Sequence, residues 1–279
     1  MKKTLVILVA FSIFGLMGHA FAGSIFLTGH DSDFHGILGG NTVGAQNINQ
    51  AAITYIMDPV FNPYAAGGVN KFLFVESTIS VPGGHVVGKT GIVASGYVEG
   101  VNFDSANAST LNAALNNLGT TYSAIVVASD FGGILTQAEL DILNNRANDI
   151  ITFLNNGGGL FAMAESNGGA GLTPNDNFYG FLPFVVSSTA FNQAEVGNTV
   201  TPFGTSLGLT NSDINGNFSH NIFLGTFGLN AVDMNAQGQF LSIAGRLSNI
   251  PTSVPEPVTM LLLGFGLMGL AGIRRKFQK

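Results

Sequence analysis

The sequence predicts an α/β protein: an open, mostly parallel sheet with helices on both faces, a β-rich C-terminal extension and a single C-terminal transmembrane helix. Three observations predict this architecture. Residues 122–129 (YSAIVVAS) form a continuous apolar run, typical of a strand buried on both faces of a parallel sheet. Residues 136–154 have apolar positions at helical spacing, and residues 160–164 (LFAMA) give the next strand. A strand, a helix and a strand in this order indicate a right-handed crossover unit.

The elements before this unit alternate in the same way. Short apolar runs predict buried strands at Ser24–Thr28 and at Lys71–Val75 (KFLFV). Between them, residues 45–57 carry apolar positions at helical spacing and stop at Asp58-Pro59. The remaining predicted elements are a short helix, a weak strand and a helix that Gly119 ends, at residues 89–97, 97–103 and 109–118.

The helix of the crossover unit has defined ends. Thr136 and Glu139 form a capping box at its start, and the three glycines 157–159 end it. Helical periodicity fades after Gly171. Short strand candidates separated by Asn, Gly and Asp turns then predict a β-rich extension of the same sheet, at residues 184–187, 199–203, 222–223 and 240–244.

Composition limits the chemistry of the chain. Among 279 residues there is no cysteine, which excludes disulfides, a thiolate nucleophile and a cysteine-ligated zinc site. Between residues 23 and 254, four basic residues stand against fifteen acidic ones, a net charge of −11. Such a surface repels nucleic acid and anionic lipid. We therefore expect cations or neutral sugars as ligands, and no nucleic acid partner.

The N-terminus has the three parts of a secretory signal peptide. Two lysines precede an apolar run at residues 5–17, and Ala20 and Ala22 form a small-x-small cleavage site. The secretion machinery is expected to export the chain, and signal peptidase to remove residues 1–22 by cutting before Gly23. An uncleaved N-terminal anchor helix is the alternative.

The C-terminus carries a second targeting pattern. Residues 250–257 are a short linker that ends in the motif Val254, Pro255, Glu256 and Pro257. The apolar run 258–273 reaches about 24 Å as a helix, near the short limit for crossing a hydrocarbon core. The basic tail 274–279 predicts a cytoplasmic C-terminus and begins with Arg274, Arg275 and Lys276. Residues 23–249 remain as one α/β body domain.

The C-terminus resembles the PEP-CTERM sorting signal of Gram-negative bacteria, because it carries Val-Pro-Glu-Pro, an apolar segment and a basic stop in this order. The resemblance implies recognition by an exosortase-type transpeptidase at the inner membrane and removal of the tail. It also implies delivery to the cell surface or to an extracellular matrix, where exopolysaccharide is a candidate partner. Contact with the membrane through the C-terminal helix would then last until processing. A plain membrane anchor that is never processed is the alternative.

The crossover unit carries a second resemblance. A strand that leads to Gly132 and Gly133, a helix, and a strand that ends in the bend 164–168 (AESNG) resemble the core of class I glutamine amidotransferase-like, flavodoxin-like domains. The resemblance implies oxyanion-binding amides at the two glycines, a nucleophile at Ser166 and a base at His220. Because the chain lacks cysteine, a serine hydrolase is the remaining enzymatic hypothesis. The alternative for Ser166 is a turn residue that bonds the backbone.

A ligand site is predicted at one edge of the sheet, because ligands of open parallel sheets bind beyond the carboxyl ends of the strands. Polar residues follow three predicted strands there: His30, Asp31, Asp33, His35, Asp130 and Glu165. Carboxylates together with imidazoles suit a divalent cation, the one candidate cofactor. Helix caps and loop hydrogen bonds are the alternative role for these side chains.

Three functional classes follow from the sequence. The first is a non-enzymatic cell-surface or matrix protein whose body binds a polysaccharide, a cation or another protein after sorting. The second is a secreted serine hydrolase that uses Ser166 and His220. The third is an inner-membrane-tethered binding protein that keeps its tail. The sorting tail and the incomplete catalytic set favour the first, non-enzymatic class.

Overall fold

The computed structural model of the protein describes residues 22–77, 88–130, 134–163 and 178–247. The chain divides into two compact units, Met1–Asn249 and Ile250–Lys279, and the described residues all belong to the first unit. Apart from Ala22, the predicted signal peptide lies outside the described residues. So do the predicted linker, sorting motif, membrane segment and basic tail.

The described residues form one ten-stranded sheet with connecting helices, which confirms the predicted α/β class. The strands are β1 (Ser24–Thr28), β2 (Lys71–Val75), β3 (Phe103–Ala106), β4 (Tyr122–Val127), β5 (Gly159–Ala162), β6 (Ser188–Ala194), β7 (Thr199–Val200), β8 (Phe218–Phe223), β9 (Asn230–Met234) and β10 (Phe240–Arg246).

The sheet has a parallel half and an antiparallel half. The parallel half has the spatial order β3-β2-β4-β5-β1. Its last member, β1, also pairs antiparallel with β10, with Thr28 opposite Ser242. From β10 the sheet continues to β8 and β6 on one path and to β9 and β7 on another. The β-rich C-terminal segment is therefore part of the same sheet, because the last strand lies beside the first.

Short helices connect these strands. In the described ranges they are α1 (Ser32–His35), α2 (Thr42–Ile56), α3 (Pro63–Ala66), α4 (Lys89–Ala94), α5 (Leu111–Ala114), α6 (Gln137–Asn145), α7 (Ala147–Asn155) and α8 (Pro202–Ser206). Asn41 caps α2 by accepting a hydrogen bond of 2.9 Å from the Gly44 amide. The predicted capping box of Thr136 and Glu139 begins α6.

The crossover helix differs from its prediction. The single helix predicted for residues 136–154 is two helices, α6 and α7, which meet at Arg146. The Arg146 guanidinium donates hydrogen bonds to the Asn112 carbonyl at 3.0 Å and to the Asn116 side chain at 2.9 Å. The side chain at the break is therefore bound to a neighbouring segment. Gly159, predicted to end the helix, is the first residue of β5.

Further elements also differ from the prediction. Strand β3 begins at Phe103, where the predicted strand 97–103 ends, because Gly100 has a φ of 82° and lies in a turn. Residues 184–187, predicted as a strand, precede β6, which begins at Ser188. Helix α8 replaces the end of a predicted strand, since Thr201 caps it by accepting from the Gly204 amide. Strand β9 has no counterpart in the prediction, because its sequence NAVDM lacks a clear apolar pattern.

Phenylalanine side chains fill the core of the parallel half. Phe26 and Phe161 pack edge to face with ring centroids 5.4 Å apart, and Phe72 and Phe103 stack at 5.3 Å. All four rings are fully buried. Burial of one such side chain contributes about 1.5–3 kcal/mol. Strands β1 and β4 are buried at every position, as predicted for strands covered on both faces.

The carboxyl ends of the parallel strands place polar residues at one edge of the sheet. His30 follows β1, Glu76 follows β2, and Ser129 follows β4. Two glycines allow close backbone approaches at this edge. A Cβ atom on Gly29 would overlap the carbonyl oxygen of Asn221, and one on Gly91 would overlap the carbonyl oxygen of Asp33. Both positions therefore require glycine.

Replacing Phe161 by alanine is expected to lower the free energy of unfolding by about 3–5 kcal/mol, because its fully buried ring packs against Phe26. Urea denaturation followed by circular dichroism measures this change. Val185→Ala is the control, since Val185 is 83% exposed and its truncation should change stability by less than about 0.5 kcal/mol. Equal losses in the two variants would contradict the packing described for Phe161.

Candidate functional site

The turn after β1 carries four of the predicted site residues, and all four are buried. The exposed fractions are 0% for Asp31 and Asp33, 2% for His30 and 7% for His35. Asp31 precedes the single turn of α1 and His35 ends it, so these two side chains lie on the same face. Ionisable groups buried to this extent need charged or hydrogen-bonding partners, because an isolated buried charge is costly.

His30 lies between two carboxylates of the antiparallel half. Its Nδ1 contacts Oε1 of Glu195, and its Nε2 is 2.8 Å from Oδ2 of Asp233. Burial lowers the pKa of His30, but the two carboxylates together raise it by more than burial lowers it. The pKa is therefore well above the ordinary value. Burial raises the pKa of Glu195, and His30 outweighs this effect and lowers it. The ring is therefore an imidazolium that donates from both nitrogens.

Asp31 lies between the other two described imidazoles. Its Oδ1 is 3.1 Å from Nε2 of His35, and its Oδ2 is 3.5 Å from Nε2 of His220. Burial raises the pKa of Asp31 to about 7, although the contact with His35 lowers it. Burial lowers the pKa of His35, and Asp31 then raises it above the ordinary value. The ligand atoms of the three side chains lie within 4.8 Å of one another, a group that could hold a metal ion.

Asp33 ties the turn after β1 to the end of β4. One carboxylate oxygen accepts from the Ser129 hydroxyl at 2.8 Å, and the other accepts from the Ser129 amide at 3.0 Å. Burial raises the pKa of Asp33, although the hydrogen bonds from Ser129 lower it. The adjacent Asp130 is also fully buried. Asp33 thus holds the strand ends of the site in place.

Glu76 adds a buried carboxyl group at the end of β2. Its Oε2 accepts from the Lys89 amide at 3.1 Å, and Oε1 has no hydrogen-bond partner within the described part of the chain. Burial raises the pKa of Glu76 to about 7, against the lowering effect of Lys89. At neutral pH this carboxyl group is therefore partly protonated.

The residues that complete the site were not predicted from the sequence. Glu76 directly follows a predicted strand, so the rule that selected Asp130 could have found it. Glu195 and Asp233 are 165 and 203 residues away from His30, and no local pattern points to either. Their contacts with His30 depend on the antiparallel half of the sheet.

The predicted catalytic set is described in part. Gly132, Gly133 and Ser166, as well as the predicted ligand Glu165, lie outside the described residues. His220 belongs to β8, is 3% exposed and faces Asp31. A contact between Ser166 and His220 therefore stays a prediction.

The C-terminal tail is the part of the chain with a family match. Residues 253–276 match the PEP-CTERM protein-sorting motif. This match confirms that the C-terminus resembles a PEP-CTERM sorting signal and supports export toward the cell surface through an exosortase-type system. No curated protein and no solved structure matches the chain. The resemblance of the body to class I glutamine amidotransferase-like domains is not supported by a family match.

The membrane segment and signal peptide stay predictions. No helix within residues 22–77, 88–130, 134–163 and 178–247 is long and apolar enough to cross a membrane. The predicted span 258–273 lies outside those ranges. Gly23, the predicted first residue after cleavage, donates its amide to the Leu154 carbonyl at 2.9 Å.

Replacing His30 by glutamine is expected to lower the free energy of unfolding by about 3–5 kcal/mol, because Glu195 and Asp233 would lose the cation buried between them. Urea denaturation at pH 7 measures the loss. Combining His30→Gln with Glu195→Gln should restore part of the stability, since one unpaired buried charge is removed. A double variant less stable than the single one would contradict the charge pairing. Asp149→Asn, at an exposed carboxylate, is the control.

Stability is expected to fall as the pH rises from about 4.5 to about 7, in part because folding raises the pKa of Glu76. The folded protein binds the Glu76 proton more tightly than the unfolded chain, so ionisation of this group opposes folding. At pH 8 the free energy of unfolding of Glu76→Gln should therefore exceed that of the wild type by up to about 3 kcal/mol, and at pH 4 the two should differ little. Urea denaturation across this pH range tests the sign of the pH dependence. A gain in the free energy of unfolding that does not depend on pH would contradict this sign. Asp149→Asn, at an exposed carboxylate, is the control.

Proposed function

We propose that the protein is an exported cell-surface or extracellular-matrix component, sorted by an exosortase-type system, whose body is a binding or structural domain rather than an enzyme. The match of residues 253–276 to the PEP-CTERM motif carries this proposal. Signal peptidase cleaves before Gly23, and segment 258–273 then holds the chain at the inner membrane. The transpeptidase recognises Val254 to Pro257 and removes the tail, which releases the body to the surface.

The side chains of the body support a binding role. A general base must be able to reach the proton that it abstracts. His30, His35 and His220 are each at least 93% buried, and each contacts a buried carboxylate. The acidic balance of the body favours cations or neutral sugars over anionic ligands. Exopolysaccharide of the matrix is the expected neighbour after release.

Replacing Pro255, Glu256 and Pro257 together by alanine is expected to stop processing, because this proline-bounded motif is the part that the transpeptidase is proposed to recognise. In the native host, the wild-type body should appear in the surface or matrix fraction, shortened at its C-terminus. The variant should remain full-length in the inner membrane. Cell fractionation, immunoblotting against the body and mass spectrometry of the C-terminus measure both outcomes.

Alanine at Ser248, Asn249 and Ile250 is the matched control, since these three residues lie just before the matched motif. The control should be processed and released like the wild type. Release of the motif variant at the wild-type level would contradict the sorting proposal. Retention of full-length wild-type protein in the inner membrane would favour a tethered binding protein instead.

A further inference from the structure

We infer that Asp31, His35 and His220 form a binding site for one divalent transition-metal ion of the zinc class. The inference rests on the proposed binding role of the body and gives that role a ligand. It differs from the ligand set predicted from the sequence, because it includes His220 of β8 and leaves out His30 and Asp33.

The distances suit a metal ion with tetrahedral ligands. Zinc binds imidazole nitrogens and carboxylate oxygens at about 2.0–2.2 Å, so neighbouring ligand atoms lie about 3.4 Å apart. The Asp31 oxygens are 3.1 Å from Nε2 of His35 and 3.5 Å from Nε2 of His220. All three ligand atoms lie within 4.8 Å of one another. These distances involve different oxygens of Asp31, so binding of an ion by one oxygen and both imidazoles requires side-chain rotation.

The orientation of His35 is the second observation that points to a cation. Its Nδ1 donates to the Leu38 carbonyl at 2.9 Å, so the neutral ring carries its proton there and presents the Nε2 lone pair to Asp31. Metal-ligating histidines typically use this arrangement, in which a carbonyl fixes the tautomer of the ring. Neither oxygen of Asp31 has a hydrogen-bond partner of normal geometry among the described residues. Either a proton or a metal ion between these two atoms, 3.1 Å apart, would satisfy both of them, and the second imidazole, His220, adds a further ligand for a metal ion.

The charge of the surroundings also favours a cation. The described lysines and arginines, Lys71, Lys89, Arg146 and Arg246, all keep exposed surface. The edge of the sheet nevertheless buries six carboxyl groups: Asp31, Asp33, Glu76, Asp130, Glu195 and Asp233. His30 neutralises part of this charge from its place between Glu195 and Asp233. A divalent ion at Asp31 would neutralise more of it.

The donor set selects the class of metal. Two imidazoles and one carboxylate suit zinc and neighbouring transition metals, whereas calcium and magnesium prefer sites built from oxygen ligands alone. His30 is left out because both of its nitrogens engage carboxylates. Asp33 is left out because both of its oxygens accept hydrogen bonds from Ser129. With three protein ligands, a fourth position stays open for water.

Calorimetric titration of the purified full-length chain, treated with a chelator beforehand, tests the site. Zn²⁺ is expected to bind with a stoichiometry near one, and Ca²⁺ and Mg²⁺ should give no binding that competes with it. His35→Gln and His220→Gln should each weaken Zn²⁺ binding by about 10-fold or more. Asp149→Asn should bind like the wild type, since this exposed carboxylate is paired with Arg146.

Two further measurements keep the test decisive if a ligand variant fails to fold. Co²⁺ bound to the wild-type chain should give the visible absorption of a tetrahedral site, and Zn²⁺ should displace it. The chain with alanine at Pro255, Glu256 and Pro257 should bind Zn²⁺ like the wild type, which separates this inference from the sorting proposal. The absence of Zn²⁺ binding, or equal affinity in the wild type and in folded His35→Gln and His220→Gln, would overturn the inference.

Discussion

The ion pairs of His30 with Glu195 and Asp233 join the two halves of the sheet. His30 follows β1 of the parallel half, whereas Glu195 follows β6 and Asp233 belongs to β9. Breaking such a buried group by removing one member is strongly unfavourable, because the charges that remain are buried without a partner. The contacts of His30 therefore tie the polar edge of the parallel half to the antiparallel half. The pairing of β10 with β1 brings the two together.

The same constraint holds the neighbouring side chains in place. The contacts of His30 hold the beginning of the turn after β1. The hydrogen bonds of Asp33 with Ser129 hold the same turn three residues further along. Asp31 lies between these two attachments and faces His35 and His220. Side chains locked by their neighbours in this way lose little conformational freedom when a ligand binds. The turn that carries Asp31 is thus held by contacts on both sides.

Local features of this fold could be predicted from the sequence, and long-range features could not. The buried run of β4, the capping box of α6 and the polar turn after β1 each follow from residues close in the chain. The partners of His30 could not be predicted from nearby residues, because strand pairing brings them to His30 from far along the sequence. Strand β9 has no clear apolar alternation of its own, so its position depends on pairing with β10. The tail was predictable because a sorting signal is read as a short linear pattern.

The absence of cysteine connects the sorting tail with the chemistry of the body. Thiolate ligands are exposed to oxidation once a protein leaves the reducing cytosol, whereas imidazole and carboxylate ligands are not. An exported chain without cysteine can bind a transition metal through histidine and carboxylate side chains. Charged residues make up only 9% of this chain, yet all three described histidines meet buried carboxylates at one edge of its sheet. The cation that we infer at Asp31 would neutralise part of the carboxylate charge that His30 leaves uncompensated at this edge.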